Sequence, residues 1–488
     1  MVLGKRKLKC VLIISGLLLL MHFSFLYSAK ALHQKTILRR DFEIELGNGL
    51  KTDAQLTYPS IGEGPFPCVL LIQGSGCLDM NGYTPSWATG TGEPSTPLLQ
   101  IAEYLSERGM AVLRYNKRGV GMNSTIIDQN IFFNITIQSL IQDAETALQV
   151  LIEQGEVDAS DVTIIGHSEG SIIAPRIAYN YPCVKKIILL GAVAHNLRDI
   201  LEYQSVDRKV AYLEEVIDGN NDGLISIDEV VLLGDSDIFL PVPDFTLVEN
   251  RTGEWQWPIG IDRDGDGLMS INEEYAPRNL SYLDMVTSPE YPLFKWFVSH
   301  FELDTTLRMI GNVSCSILTL HGEDDVQAPI QEAFLLEQRL SQVNHQDHTL
   351  YSYPGLGHSF YPVDSWKQPL GPIQDYVLSD IFTWLKDPAR KVQYYHTQQQ
   401  SSERCIDEMQ IQLSGLDSEL ERTKSIFEDL QSASLTYKKE IDELNDLNLE
   451  LKNSLISSRN LTYIALGLSL FTVVKSMRQN PGRDSIEG

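Results

Sequence analysis

The chain has 488 residues, of which 43% are aliphatic, aromatic or cysteine and 21% are charged, and this balance excludes small-scaffold, disordered and fibrous proteins. Its 39 basic and 65 acidic residues give a formal net charge of −26. Because so acidic a chain repels phosphate groups, nucleic acid is not expected as a partner, whereas divalent cations are.

Residues 1–31 predict a secretory signal peptide. Four basic residues within the first nine precede an apolar run from Cys10 to Ser28, and the small residues before Ala31 offer a cleavage site. The run is also long enough to remain as a membrane anchor. We therefore expect a glycoprotein of the secretory pathway, extracellular or membrane-anchored with its main body outside. Six Asn-x-Ser/Thr acceptor triplets agree with export; they start at Asn123, Asn134, Asn250, Asn279, Asn312 and Asn460.

Residues 38–194 and 315–390 alternate short β-rich runs with helical patterns. Several of the runs are apolar almost throughout, which is typical of strands that are covered on both faces of a parallel sheet. The alternation predicts an α/β fold with a doubly wound, mostly parallel sheet. The predicted strands are 68–72, 110–115, 162–165, 186–190, 316–320 and 349–353, and the predicted helices are 97–108, 137–154, 171–179 and 329–340.

The strongest catalytic signal is the string Gly166-His167-Ser168-Glu169-Gly170, which lies between a predicted strand and a predicted helix. Small residues two before and two after Ser168 allow the sharp turn that exposes a nucleophilic hydroxyl at the top of a sheet. A plain turn serine is the alternative, and the strand-turn-helix context argues against it. The sequence thus predicts that Ser168 is a nucleophile.

A serine nucleophile needs a general base and a carboxylate that orients the base. The predicted strand 316–320 leads into a turn with adjacent carboxylates, of which we expect Asp325 to orient the base, with Asp324 as the alternative. His358 lies in a glycine-rich turn after the last predicted strand and can reach back over Ser168.

The reaction also needs two N–H donors that bind the negatively charged oxygen of the tetrahedral intermediate. One donor belongs to the residue after the nucleophile, which is Glu169, and the other to a loop after an early strand. The loop after the predicted strand 68–72 has the sequence Gln73-Gly-Ser75-Gly. We expect the backbone N–H of Ser75 to be the second donor.

Three strings resemble motifs of the α/β-hydrolase superfamily, and more narrowly of bacterial-type esterases and serine aminopeptidase-like members. They are Gln73-Gly-Ser-Gly-Cys-Leu-Asp-Met-Asn-Gly82, Arg114-Tyr-Asn-Lys-Arg-Gly-Val-Gly121 and Gly166-His-Ser-Glu-Gly170. The resemblance covers residues 40–194 and 315–386 and implies a Ser-Asp-His order of catalytic residues. Gln73 stands where the family usually has His, and Asn116 where it usually has Asp, so we expect an altered substrate preference.

Residues 195–314 form an insert at the place where this fold usually carries its lid. The insert contains two strings that match the twelve-residue EF-hand calcium loop at every ligand position. The first offers Asp218, Asn220, Asp222, Leu224, Ser226 and Glu229, and the second Asp262, Asp264, Asp266, Leu268, Ser270 and Glu273. Acidic turns without metal are the alternative. We expect two bound Ca²⁺ ions that fold the lid and shape the substrate entrance.

The C-terminal part predicts an oligomerisation stalk. From Leu413 to Ser458 the chain carries a seven-residue repeat of mostly apolar positions without proline, which favours a parallel coiled coil over residues 405–458 and a homo-oligomer. A helix that packs on the globular part is the alternative. Residues 461–474 are an apolar run that could form a short transmembrane helix, and residues 475–488 are a polar tail.

Taken together, these features predict a membrane-tethered or secreted serine hydrolase that acts on a small carboxylic ester, with calcium in its lid. Peptide and thioester substrates would use the same catalytic groups, so a peptidase or a thioesterase stays open. A calcium-dependent surface binding or adhesion protein that uses a hydrolase scaffold is an alternative of a different class.

Overall fold

The computed structural model describes residues 37–232, 247–249, 253–364, 366–386 and 438–439. The chain divides into two compact units, residues 1–391 and 392–488. The predicted signal peptide or anchor, transmembrane run and tail lie outside the described residues, as does the predicted coiled coil except for Lys438 and Lys439, which are helical. In the part of the chain that is described, no helix is both long and apolar enough to cross a membrane.

An eight-stranded sheet forms the centre of the first unit. Its spatial order is β1-β2-β4-β3-β5-β6-β7-β8, for strands whose bounds in chain order are β1 (Ile37–Glu45), β2 (Lys51–Pro59), β3 (Phe66–Ile72), β4 (Ala111–Tyr115), β5 (Val157–His167), β6 (Val184–Leu190), β7 (Ser316–Gly322) and β8 (His348–Tyr353). β2 is antiparallel to both of its neighbours, and all other neighbouring strands are parallel. The predicted α/β fold with a mostly parallel sheet is confirmed.

Successive side chains of the central strands point to opposite faces, and each face buries an apolar core. Val69 and Leu71 of β3 contribute to the core on one face, and Leu70 and Ile72 to the core on the other. The helices that cover the sheet are α1 (Pro97–Ser106), α2 (Ile137–Ile152), α3 (Glu169–Asn180), α4 (Ile330–Gln342) and α5 (Asp375–Lys386). α1 and α5 pack on the first face and α2, α3 and α4 on the second. Because β3, β5, β7 and β8 run parallel, the loops that follow them meet at one edge of the sheet, where ligands bind in such folds.

The insert between β6 and β7 has its own small core, formed by apolar side chains such as Tyr212, Ile225 and Met269. Its helical segments are Leu197–Glu202, Tyr203–Asp207, Arg208–Tyr212, Leu213–Ile217, Ile227–Leu232, Ile271–Tyr275, Ala276–Val286, Phe294–Phe301 and Thr306–Met309. Two antiparallel strand pairs complete it: Val248–Glu249 with Trp255–Gln256, and Leu224–Ser226 with Leu268–Ser270.

Several short elements connect the larger ones. They are the helix Gln129–Phe132, the 3-10 turns Ser86–Ala88, Met122–Ser124 and Ile310–Asn312, and the paired strands Val120–Gly121 and Thr125–Ile126. One predicted glycan acceptor conflicts with the structure: Asn279 lies in the helix Ala276–Val286 with only 2% of its surface exposed. A glycan on its side chain is incompatible with that burial.

Candidate active site

Ser168 lies in a sharp turn between β5, which ends at His167, and α3, which begins at Glu169. Its backbone angles, φ 54° and ψ −115°, are in a region that non-glycine residues rarely adopt. The turn depends on two glycines. A Cβ at Gly166 would lie 2.1 Å from the carbonyl oxygen of Gly170, and a Cβ at Gly170 would lie 2.4 Å from that of Ile72. The structure therefore explains in steric terms why glycine flanks the serine at both positions.

Asp325 and His358 are brought together by the loops after β7 and β8. His358 Nδ1 lies 2.7 Å from Asp325 Oδ2, and Asp325 Oδ1 accepts hydrogen bonds from the backbone N–H groups of Gln327 and Ala328 at 2.8 and 3.0 Å. Burial favours a higher pKa for Asp325, but His358 and these hydrogen bonds outweigh it and hold the pKa below its usual value. The carboxylate is thus charged and fixed in orientation.

The neighbouring carboxylate, Asp324, has a different role. Its Oδ2 accepts a hydrogen bond from the backbone N–H of Gly355 at 2.8 Å. Asp324 therefore stabilises the turn before His358. Of the two carboxylates that the sequence left open, it is Asp325 that contacts the histidine.

A cavity of about 200 Å³ joins the predicted catalytic groups. The cavity is lined by Ser168, His358 and Ser75. Its apolar surface includes the side chains of Leu98, Ile101 and Phe360. Ser75 is exposed in the loop after β3. The structure thus places the nucleophile, the base and one predicted N–H donor around a single space, with Glu169 directly after the nucleophile.

Two further histidines support the site, and sequence reasoning assigned no role to them. His167 Nε2 donates to the carbonyl oxygen of His358 at 3.1 Å. His321 Nε2 donates to the carbonyl oxygen of Ala328 at 2.8 Å, while its Nδ1 accepts from the backbone N–H of Ala192 at 3.2 Å. Burial lowers the pKa of both rings, that of His167 to about 4. Both rings are therefore neutral hydrogen-bonding groups that hold the two catalytic loops.

The two departures from the family motifs lie away from the cavity. Gln73 donates from Nε2 to the carbonyl oxygen of Tyr115 at 3.0 Å, and Asn116 Oδ1 accepts from the backbone N–H of Met80 at 2.8 Å. Both residues are buried. They connect loops to one another, so the expectation that they alter substrate preference finds no contact to support it among the described residues.

Comparisons with known proteins agree with this architecture. Residues 87–213 match the model of the serine aminopeptidase family, S33. The chain is 33% identical to esterase EstD of Thermotoga maritima over 158 residues, a stretch that covers 32% of this chain and 34% of that protein. It is 28% identical over 167 residues to esterase FrsA of Salmonella typhi, covering 34% of each. These partial matches and the observed, mostly parallel sheet support an α/β-hydrolase fold for residues 37–386.

The match to these relatives is partial, since the chain spans about a third of their length. The solved structure of the α/β hydrolase GrgF from Penicillium sp. sh18 is also similar, with a TM-score of 0.40 and 14% identity over 73% of this chain and 97% of that one. The acylaminoacyl peptidase of Pyrococcus horikoshii has a TM-score of 0.39 and 15% identity over 67% of this chain and 38% of that one.

The insert between β6 and β7 brings its two acidic loops side by side. Ile225 of the first loop pairs with Met269 of the second in a short antiparallel ladder. In the first loop, Glu229 reaches back so that Oε1 accepts from the N–H of Gly219 at 3.2 Å and Oε2 from the N–H of Ser226 at 2.8 Å. Asp218 is buried beside it and accepts from the N–H of Gly223 at 2.8 Å.

The second acidic loop differs from the sequence prediction at one position. Glu273 is exposed, whereas Glu274 is 8% exposed and accepts from the N–H groups of Arg263 and Ser270. These are the loop positions that Glu229 contacts in the first loop. The wider helical turn Ile271–Tyr275 rotates the second carboxylate into the loop. Glu274, which the motif did not indicate, therefore takes the inward place that we expected for Glu273.

The remaining predicted loop residues form acidic, oxygen-rich turns. Oxygens of Asp262, Asp264 and Glu274 lie within 4.8 Å of one another. Asp222 and Asp266 each accept from the N–H two residues ahead at 2.8 Å. Hard divalent cations such as Ca²⁺ prefer carboxylate and carbonyl oxygens, so the donors present fit that ion.

Proposed function

We propose that the protein is a serine hydrolase that cleaves carboxylic esters, secreted or tethered to a membrane with the hydrolase core outside. The proposal depends on one observation: Ser168 and His358 line the same cavity, and Asp325 binds the far nitrogen of His358 at 2.7 Å. The esterase names of the relatives favour an ester over a peptide substrate. The basic and apolar pattern of residues 1–31 and the acceptor triplets other than Asn279 support export.

In the proposed reaction, His358 Nε2 takes the proton of the Ser168 hydroxyl as its oxygen attacks the acyl carbon. The backbone N–H groups of Ser75 and Glu169 bind the oxygen that becomes negatively charged. The protonated His358 then gives the proton to the departing alkoxide, which leaves as the alcohol. Water repeats these steps on the acyl-serine and releases the acid, while Asp325 keeps the ring oriented throughout.

The cavity supports a small acyl group. At about 200 Å³ it is below the range of about 300–1,000 Å³ that drug-sized ligands occupy. Its apolar side chains, Leu98, Ile101 and Phe360, suit a hydrocarbon chain rather than a charged group. We therefore propose short acyl esters as the substrate class.

The test uses p-nitrophenyl esters of graded acyl length with the full chain. We expect turnover that falls as the acyl chain lengthens, and reaction of a fluorophosphonate probe at Ser168. Ser168→Ala should lose both, whereas Ser160→Ala, which removes an exposed serine hydroxyl of β5, should keep both. A wild-type chain that neither hydrolyses any ester nor reacts with the probe would refute the proposed function.

We further propose that the insert binds two Ca²⁺ ions. The first would be held by Asp218, Asn220, Asp222, Leu224, Ser226 and Glu229, and the second by Asp262, Asp264, Asp266, Leu268, Ser270 and Glu274. Bound calcium would supply positive charge to loops that otherwise bring like charges together, and so stabilise the insert. The residues themselves provide the rigid frame, because the paired strands fix the two loops side by side.

A second candidate function is calcium-dependent surface binding by a hydrolase scaffold. It is favoured by apolar side chains that the insert exposes, Trp255 at 47% and Ile259 at 105%. Assembly through residues 405–458 would give such a protein several copies of this surface. Absence of turnover on every ester, together with a higher melting temperature in calcium than in chelator, would favour this function over hydrolysis.

A further inference from the structure

Lys117 and Glu169 form a buried ion pair beneath the loop that carries Ser75. Lys117 Nζ lies 2.7 Å from Glu169 Oε2, and the two side chains are 5% and 3% exposed. Such a pair is weak evidence for stability, because desolvation of the two charges offsets most of their attraction. Its position suggests another role. The ammonium group also donates to the carbonyl oxygen of Gly74 at 2.7 Å.

The carbonyl of Gly74 belongs to the same peptide unit as the backbone N–H of Ser75. This unit is planar and trans, so its carbonyl and its N–H point in opposite directions. When Lys117 holds the carbonyl on the inner side of the loop, it fixes the direction in which the Ser75 N–H points. A charged donor on the carbonyl also polarises the peptide and strengthens its N–H as a donor.

The second oxygen of Glu169 is held by the insert. Trp296 and His300 lie on the helix Phe294–Phe301, here called the lid helix. Trp296 Nε1 donates to Glu169 Oε1 at 2.6 Å, and His300 Nε2 lies 3.1 Å from the same oxygen. The carboxylate is thus held between Lys117 on one oxygen and the lid helix on the other. Glu169 is the residue directly after the nucleophile, so this contact connects the insert with the nucleophile turn.

We propose that Lys117 is a positioning residue that directs the Ser75 N–H toward the reacting oxygen. The lid helix keeps Lys117 in this position through its contacts with Glu169. This inference rests on the proposed serine hydrolase function. It adds a means by which the insert sets the rate of the chemical step without contacting the substrate. Binding of the ground-state ester does not depend on the Ser75 N–H to the same degree as binding of the tetrahedral intermediate.

The test compares kcat, KM and the inhibition constant of phenylboronic acid, which forms a tetrahedral adduct with an active serine. Lys117→Met should lower kcat by about 10- to 100-fold, because loss of one such donor costs about 10²- to 10³-fold and misdirection costs less. KM should stay within about threefold of the wild-type value, and the affinity for phenylboronic acid should fall by the same factor as kcat. Trp296→Phe, which removes the indole donor and keeps a smaller aromatic ring, should shift kcat and the phenylboronic acid affinity in the same direction by at least about threefold.

Ser299→Ala is the matched control on the lid helix. Ser299 is buried beside His300, accepts from the backbone N–H of Ile137 at 3.0 Å and donates to the carbonyl oxygen of Trp296 at 2.9 Å. Its loss removes the hydrogen bond between the lid helix and α2 and keeps both side chains that contact Glu169. It should lower the melting temperature and leave kcat and phenylboronic acid affinity unchanged. A role in stability alone would give the Ser299→Ala and Trp296→Phe variants the same kinetic profile.

The outcomes separate this inference from the function on which it rests. An inactive wild-type chain that ignores the fluorophosphonate probe refutes the function. If the wild-type chain is active and the Lys117→Met and Trp296→Phe variants fold, values of kcat and phenylboronic acid affinity within twofold of wild type refute only the inference. A raised KM with unchanged kcat also refutes it, since that result indicates a substrate contact. If Lys117→Met does not fold, the Trp296→Phe constants decide.

Discussion

Asp325→Asn tests the orientation of the catalytic base most directly. Asp325 Oδ1 accepts from two backbone N–H groups, those of Gln327 and Ala328, so the amide of the variant must keep its oxygen there. Its NH₂ group then faces His358 Nδ1, which Oδ2 contacts at 2.7 Å in the wild type. Nδ1 can satisfy that donor only by accepting, which moves the ring proton to Nε2. A protonated Nε2 cannot take the proton of Ser168.

We expect kcat for a p-nitrophenyl ester to fall about 10⁴-fold, as for this change in other Ser-His-Asp triads, which corresponds to about 5 kcal/mol of transition-state stabilisation. KM should change little, because the carboxylate lies behind His358 and not in the cavity. The matched control is Asp324→Asn, whose amide oxygen can keep the hydrogen bond from Gly355; its kcat should stay within threefold. An Asp325→Asn variant within tenfold of wild type, or an equal loss in the control, would show that the base is oriented differently.

Two further predictions concern calcium and pH. Glu274→Gln should weaken calcium binding at the second loop by at least about tenfold in calorimetric titration, whereas Glu273→Gln should change it by less than threefold; the opposite order would mean that the motif position holds the ion. Acid should destabilise the hydrolase core in two steps, because the folded pKa of His167 is about 4 against 6.5 and that of Glu169 about 2 against 4.5. Both folded pKa values are depressed, so stability present at pH 7 falls from pH 6.5 toward 4 and again from 4.5 toward 2, by up to about 3 kcal/mol for each group. Melting temperatures at pH 7, 5, 4 and 2.5 measure both steps, with His167→Gln expected to flatten the first. An unchanged melting temperature between pH 7 and 5 would contradict the first step.

The sheet could be predicted from the sequence wherever a strand is apolar on both faces. All six predicted runs are strands, with ends within two residues of the observed ones, except that the run 162–165 lies in a strand that begins at Val157. The first two strands, Ile37–Glu45 and Lys51–Pro59, were not predicted. They form one edge of the sheet, and many of their side chains, such as Arg39 and Glu43, are exposed or partly exposed. Their low apolar content resembles that of a loop, and only pairing with the next strand reveals them.

The site was predictable to the extent that its residues follow strands directly. Ser168, Asp325 and His358 each come within a few residues of the carboxyl end of a parallel strand, and such ends meet at one edge. The supporting groups lack that signal. Lys117 and Trp296 are separated by 179 positions in the chain, and they contact the same carboxylate, that of Glu169, because the insert folds back on the nucleophile turn. A contact of that kind leaves no local pattern, so one sequence alone could not indicate it.

The second predicted calcium loop shows a different limit, because there the local pattern was present and indicated the neighbouring residue. Its spacing places Glu273 at the twelfth position, as Glu229 is in the first loop. The spacing assumes that an ordinary α-helical turn begins after Ser270, whereas the segment Ile271–Tyr275 is a wider turn, which adds one residue before the carboxylate faces inward. Pro277 at the start of the next helix has no N–H to donate, so a regular i to i−4 bond to Glu273 cannot form there. Because Pro277 cannot form this α-helical hydrogen bond in any case, the wider turn costs less free energy here than it would elsewhere. Glu274 then accepts from the same loop positions that Glu229 contacts in the first loop.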